Sequence, residues 1–336
     1  MLSHLGDAEE SEPYTSLDLI ANTNGIDAVL DGHAHSVIEK RLVDNRDGED
    51  VILSSTGTKL NNIGKLTITK DGELSAELIS EYSERDDDTT SFIENIKSRY
   101  ESQMNSVIAR SDIKLSCYTE DGIRLVRNRE TAIGNLVADA YRAVGNADIG
   151  LVNGGGIRAD IPAGDITYAD MLAVHPFGNT LCVVKATGSE ILDLLETASR
   201  FTKAEYGENG NAIGENGGFM QVSGLRYTID TSIESSVVVD ENDNFAYVSG
   251  ERRVKDVMVL QNGEYVPLDP NAIYTVASHN YMLRDGGDSY TKFTDNEFVV
   301  SEGPYDYQVI TDYIKETLGG NVGALYSDPE NRIIIK

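Results

Sequence analysis

The sequence predicts a mixed α/β protein in two parts joined by a helix, and three observations carry that expectation. Residues 1–83 alternate short apolar strands with one helical stretch. Residues 83–90, SERDDDTT, form a polar acidic stretch of linker type that feeds a segment of helical period. From about 110 onward, strand-like apolar runs alternate with helical patterns up to the C-terminus.

In chain order, residues 16–24 read as a short helix with Leu17, Ile20 and Ala21 on one face. Residues 26–30 (IDAVL) form a strand that ends at Asp31-Gly32-His33-Ala34-His35. Strands follow at 51–54 and 63–69, and Asp71-Gly72 signals a hairpin before 73–82. Thr90 or Ser91 caps the next helix, expected to reach about residue 109 with Phe92, Ile96, Tyr100 and Val107 near helical spacing. Ile133, Leu136, Val137, Ala140 and Val144 mark a helix over 131–146 that Gly145-Asn146 stops. Strands are expected at 147–152, 181–186 and 273–278, with a helix after Gly188-Ser189. A last helix over about 305–318 precedes a closing strand at Ile333-Ile334-Ile335, and 202–218 reads as an exposed loop. The boundaries are therefore 1–83, a linker helix at 84–109, and a second domain at 110–336.

Composition excludes several classes. With 40% hydrophobic residues the chain can bury a core, so it is not disordered by composition. Lys and Arg number 28 against 56 Asp and Glu, a net charge of −28 that repels phosphate backbones and argues against nucleic-acid polymers as partners. A small anion remains an acceptable ligand if metals or clustered Arg reverse the field locally. No apolar run nears the roughly 18 residues of a membrane span. The first 30 residues lack the basic and apolar regions of a signal peptide. Cys117 and Cys182 fit no ligand spacing, and their redox state is left open.

Five short constellations could carry chemistry. Three of the five histidines lie in His4-x-Gly6 and Gly32-His33-Ala34-His35. A two-residue spacing at a strand end would turn both imidazoles to one side, and neutral imidazole is a good ligand for zinc- or manganese-type ions. The alternative is a chance pair of surface histidines. Asn153-Gly-Gly-Gly-Ile-Arg158 allows close backbone approach to a ligand, or is a tight turn with a solvated Arg. In His175-Pro176-Phe177-Gly178-Asn179, Phe177 either presents a face for stacking or anchors the loop in the core. Residues 280–288, NYMLRDGGD, offer an aromatic and a carboxylate suited to sugar hydroxyls, or an ordinary Asp-Gly turn. Arg127 and Arg129 precede the helix start and either hold an anion or pair with local acids.

Taken in order, these motifs resemble the secreted 5′-nucleotidase family, which includes UDP-sugar hydrolases, 2′,3′-cyclic-nucleotide phosphodiesterases and ecto-5′-nucleotidases. LSHLG and DAVLDGHAHS resemble the last two metal motifs of its calcineurin-like metallophosphoesterase domain, an αββα sandwich. RNRETAIGNLVADAY, NGGGIRADIPAGDITY, HPFGNTL, FMQVSGLRYTID and NYMLRDGGDSY resemble its C-terminal nucleotide-binding domain. The resemblance implies His4 and His33 on one metal and His35 on a second. It implies Phe177 and Tyr281 stacking on the base, Asn153 at the base edge, Asp288 on the ribose hydroxyls, and Arg127 and Arg158 on phosphate. The spacing from Tyr281 to Asp288 is one residue longer than usual, so Tyr281 and Met282 both fit the stacking position.

The resemblance begins after the point where the family's domain carries its own Asp-x-His, Gly-Asp and Gly-Asn-His-Glu motifs, so Met1 reads as an internal methionine, a misplaced start or a fragment end. No catalytic His–Asp pair is expected here. The implied activity is metal-dependent hydrolysis of nucleotide phosphate esters by two divalent ions (zinc, manganese or similar), in an extracellular, cell-surface or periplasmic setting. The alternative is a non-catalytic nucleotide or nucleoside binder.

Overall fold

A computed structural model describes all residues except 9, 10, 12, 13, 121 and 204–214, so most of the loop expected at 202–218 lies outside the described residues. The chain divides into two compact units, Met1–Ile96 and Lys97–Lys336.

In the first unit, Asp50–Thr56 is the central strand of a three-stranded sheet. It runs parallel to Ala28–Asp31 and antiparallel to Val37–Asp44, a strand the sequence reading did not anticipate. Leu2 forms a parallel bridge to Leu30, which lays the first residues along the sheet. The helix Ser16–Ala21 starts at Thr15, whose hydroxyl accepts from the Asp18 N–H while the Asp18 carboxylate accepts from the Thr15 N–H. Ile20, Val29, Val51 and Leu53 form its small core. The Asp71-Gly72 signal does produce a hairpin, Ile63–Ile68 paired with Leu74–Ile79.

The helix Asp87–Met104 begins earlier than expected because Asp86, not Thr90 or Ser91, accepts from a first-turn N–H, that of Thr89 at 2.7 Å. It also ends earlier. Val107–Ser111 is a strand paired with Gly164–Thr167, consistent with the β-branched pair Val107-Ile108 leaving the helix after Asn105. The expected linker helix thus loses its last turn to the second unit's sheet structure.

That second unit is organised on a five-stranded mixed sheet in the order Met220–Ser223, Ile149–Asn153, Ile273–His279, Leu181–Thr187, Phe298–Val300. Both faces are covered. Leu151, Cys182, Val184 and Val276 point to a core shared with the helix Gly188–Ser199 and with a second sheet of Glu264–Pro267, Val254–Gln261, Leu225–Ile229 and Ile333–Ile335. Their neighbours Val152, Leu181, Val183 and Ala277 point the other way, against the helices Ala132–Val144 and Asp306–Asp312. The period-2 alternation of strand side chains makes continuous apolar runs, rather than alternating ones, the mark of this doubly covered sheet. The last helix continues beyond Asp312 as a wider π-type turn, Tyr313–Thr317.

Candidate functional site

Strand register gathers the candidate residues at one edge. Ile149–Asn153 and Ile273–His279 run parallel, with Val276 opposite Ile149, so they finish side by side on Asn153 and His279. Leu181 lies opposite His279 in the antiparallel strand, which brings the 175–180 loop to the same edge. Met220 lies opposite Asn153, which adds the segment before it. Ligands in open α/β sheets bind outside the carboxyl ends of parallel strands, and this is that edge.

A chain of side-chain hydrogen bonds runs along it. The Asn153 amide Nδ2 donates to Asp288 Oδ2 at 2.6 Å, and its Oδ1 lies 2.9 Å from His279 Nε2. The Tyr281 hydroxyl donates to Asp288 Oδ1 at 3.1 Å and lies 3.3 Å from the Asp288 N–H. Asp288 and Ser289 both adopt left-handed backbone, φ 53° and 66°, a conformation costly for residues with a Cβ. Burial pushes the Asp288 carboxyl up, while the bonds from Asn153 and Tyr281 and the charges of Arg127 and Arg200 pull it back. Arg200 donates to Ser289 Oγ at 3.2 Å and sits 3.6 Å from Asp243, and Arg127 sits 3.8 Å from Glu215.

Two aromatic rings stay open at this edge. Phe177 is 60% exposed, with the Arg158 guanidinium 5.8 Å above its ring. Tyr281 is 40% exposed, whereas Met282 is 3% exposed and belongs to the core. Of the two residues that fit the stacking position, only Tyr281 offers a ring face to solvent. Gly287 makes its placement possible, because a Cβ there would lie 2.4 Å from the Tyr281 ring. The glycines of Asn153-Gly-Gly-Gly differ from expectation. They form a short 3₁₀ turn, Gly154–Gly156, backed against Val126, Gly217 and the Asn153 side chain, so their close approach is to protein. Asn153 is 4% exposed with both ends of its amide engaged, which leaves it poorly placed to read a base edge.

The first unit holds the three other candidates. Ser3 Oγ and the Leu5 N–H donate to Asp31 at 2.8 and 3.1 Å, and this fastening brings the His4 and His33 rings to 5.2 Å, edge to face. His33 and His35 do not share a strand face as expected. The strand stops at Asp31, and both histidines take left-handed backbone with φ 58°. All three imidazoles are exposed. Among the described residues no group of three or more His, Cys, Asp or Glu side chains could hold a metal ion. Among the described residues, the three imidazoles by themselves therefore do not fit a metal.

Sequence reading missed a buried polar group behind this edge. His175 Nδ1 lies 3.8 Å from Asp306 Oδ2, with both side chains fully buried. The Tyr141 and His279 rings lie 6.0 Å apart. Burial lowers His175 to about 3 and His279 to about 4, and raises Asp306 to about 6. His279 and Arg200 were missed as well. A histidine at the buried end of an apolar strand, directly before Asn280-Tyr281, was the available signal for His279; Arg200 gave none.

Residues 107–295 match the family described as "5′-nucleotidase, C-terminal domain". A trifunctional nucleotide phosphoesterase protein of Bacillus subtilis is 30% identical over 334 residues, covering 96% of this chain and 20% of its own length. A cell wall protein of Listeria monocytogenes is 27% identical over 326 residues, covering 92% of this chain and 37% of its own. Among solved structures, the 5′-nucleotidase precursor from Thermus thermophilus superposes with a TM-score of 0.71 at 29% identity, over 95% of this chain and 61% of that one. The chain thus spans about a fifth to two fifths of the length of these curated relatives.

Proposed function

Because the chain belongs to the 5′-nucleotidase family, we propose that its second unit holds the nucleoside part of a nucleotide in a phosphoester-hydrolysing protein. The observation that carries this reading is the half-buried Asp288 carboxylate beside the exposed Tyr281 ring, at the strand edge that the Phe177 loop also reaches. A flat aromatic pair suits a base, and a carboxylate fixed on two sides suits a pair of sugar hydroxyls. In this proposal Phe177 and Tyr281 stack on the base, Asp288 accepts from the ribose, and Arg127 and Arg158 meet phosphate oxygens. Asn153 holds Asp288 rather than the base. Residues 1–83 correspond to part of a phosphoesterase domain, 84–109 to the linker and 110–336 to the nucleotide-binding domain. The likeness to a solved 5′-nucleotidase precursor over 95% of the chain supports that division.

His4, His33 and His35 need further ligands to hold an ion, so no hydrolytic step is assigned to residues of this chain. In a second reading, the chain binds nucleotides without turning them over. A cell-surface setting is supported by the likeness to a cell wall protein.

Adenosine and AMP are expected to raise the melting temperature and change tyrosine fluorescence. Phe177→Ala should weaken binding about tenfold or more, since base–aromatic stacking contributes about 1–3 kcal/mol. No response at millimolar nucleotide sinks the site. Manganese-dependent AMP hydrolysis by the purified chain would overturn the second reading.

A further inference from the structure

The direction of the hydrogen bonds around Asp288 can be deduced. An ionised carboxylate only accepts, so the Asn153 group 2.6 Å from Asp288 Oδ2 is the amide NH₂. The other end of the amide is then its carbonyl oxygen, which also only accepts. Facing that oxygen at 2.9 Å is His279 Nε2, so Nε2 carries the ring proton and Nδ1 is bare. The order is His279 Nε2–H to Asn153 Oδ1, then Asn153 Nδ2–H to Asp288 Oδ2. Burial independently keeps the imidazole neutral at pH 7, as one bare nitrogen requires.

Packing holds the chain in this order. His279 is 1% exposed, lies against Tyr141 on one side and stacks on Tyr281 at 6.0 Å and 29° on the other. A Cβ at residue 156 would lie 2.6 Å from Asn153 Oδ1 and 3.4 Å from His279 Nε2, so Gly156 leaves the bond its space. Asp288 itself stands on left-handed backbone. An amide free to flip would turn its carbonyl toward the carboxylate and repel it.

We propose that His279 is a positioning residue for ligand recognition: its Nε2–H fixes the Asn153 amide, which aims the Asp288 carboxylate at a vicinal diol. This rests on the reading of Asp288 as the acceptor for ribose hydroxyls. In this proposal His279 does not meet the ligand itself and bears on the diol through Asn153, whereas its stacking on Tyr281 bears equally on both nucleosides.

The experiment measures affinities of the full chain for adenosine and 2′,3′-dideoxyadenosine, in the wild type and two variants. His279→Leu removes the donor at similar volume, and His279→Gln returns an N–H near the Nε2 position. Expected results are a wild-type preference for adenosine, its loss by about tenfold in the Leu variant, and retention within about threefold in the Gln variant. A folded Leu variant that keeps the preference overturns the proposal. So does an equal loss in both variants, which would leave His279 a packing role only. Equal binding of the two nucleosides by the wild type instead refutes the ribose role of Asp288, and the positioning role with it. Nitrogen-15 NMR of the His279 ring decides the geometry without any ligand. An Nε2–H tautomer at pH 7 is expected; an Nδ1–H tautomer overturns the deduction even if nucleosides bind, or if the Leu variant fails to fold.

Discussion

Replacing His175 by Leu should make the protein relatively more stable in mild acid, by an amount that follows from its burial. The imidazole is fully buried, and among the described residues neither ring nitrogen has a hydrogen-bond partner. Burial lowers its pKa from 6.5 to about 3. The unfolded chain therefore takes up a proton at this residue below pH 6.5, while the folded chain does not until about pH 3. Stability is lost as the pH falls through that window. At pH 5 the gap is about 1.5 pH units at about 1.36 kcal/mol each, a loss of about 2 kcal/mol that leucine does not suffer. Asp306 runs the other way, since its carboxyl is raised to about 6 and its burial penalty eases in acid, but both proteins share it. At pH 7 the substitution should change stability by no more than about 1 kcal/mol, because it removes polar atoms that were unpaired. Urea unfolding followed by near-ultraviolet circular dichroism suits the measurement. Of the 17 tyrosines only Tyr14 and Tyr82 fall outside Lys97–Lys336, and there is no tryptophan. The quantity read is the stability difference between variant and wild type, which cancels the pH response of the other acids. It should move by about 2 kcal/mol in favour of leucine between pH 7 and pH 5. A difference that stays the same at both values would refute the reasoning.

Two further perturbations probe the surroundings of the site. Gly287→Ala puts a methyl 2.4 Å from the Tyr281 ring, so that ring must move. The substitution should cost about 1–3 kcal/mol and weaken adenosine binding, and unchanged affinity would mean Tyr281 is not in the base site. Arg332 donates to both carboxylate oxygens of Asp139, at 2.7 and 2.8 Å, and to the Val222 carbonyl at 2.9 Å. Arg332→Met should leave the Asp139 carboxylate without its cation, held only by the Tyr326 hydroxyl at 2.8 Å, and cost about 3 kcal/mol or more in a urea titration. A loss below about 1 kcal/mol would show that this pair contributes little to the closing strand.

Much of the second unit was legible because its signals are local. The apolar period from Ile133 to Val144 predicts the helix that forms at Ala132–Val144, and the helix expected after Gly188-Ser189 forms at Gly188–Ser199, capped reciprocally by Thr187 and Glu190. Errors fell where a local pattern has two solutions. The helical spacing that includes Val107 continues past Met104 on paper, but pairing with Gly164–Thr167 claims Val107 for a strand. In the candidate site, loop signals marked Phe177, Tyr281 and Asp288, but whether Phe177 lay in the core, and whether Tyr281 or Met282 stood at the rim, was left open. His33 and His35 were singled out for a strand alternation that their left-handed backbone does not follow.

Sequence by itself determined three of the five central strands of the second unit, its helices Ala132–Val144, Gly188–Ser199 and Asp306–Asp312, its closing strand, and which motifs carry polar chemistry. Those properties follow from side-chain period and capping within a dozen residues. Only the tertiary structure decided what meets what. Asn153 and His279 are 126 residues apart and touch because two strands pair in parallel with one register. Asn153 thereby donates to the Asp288 carboxylate, and Met282 goes to the core while Tyr281 stays at the rim. Register is chosen by burying two sheet faces at once, a condition on the whole chain that no local window contains.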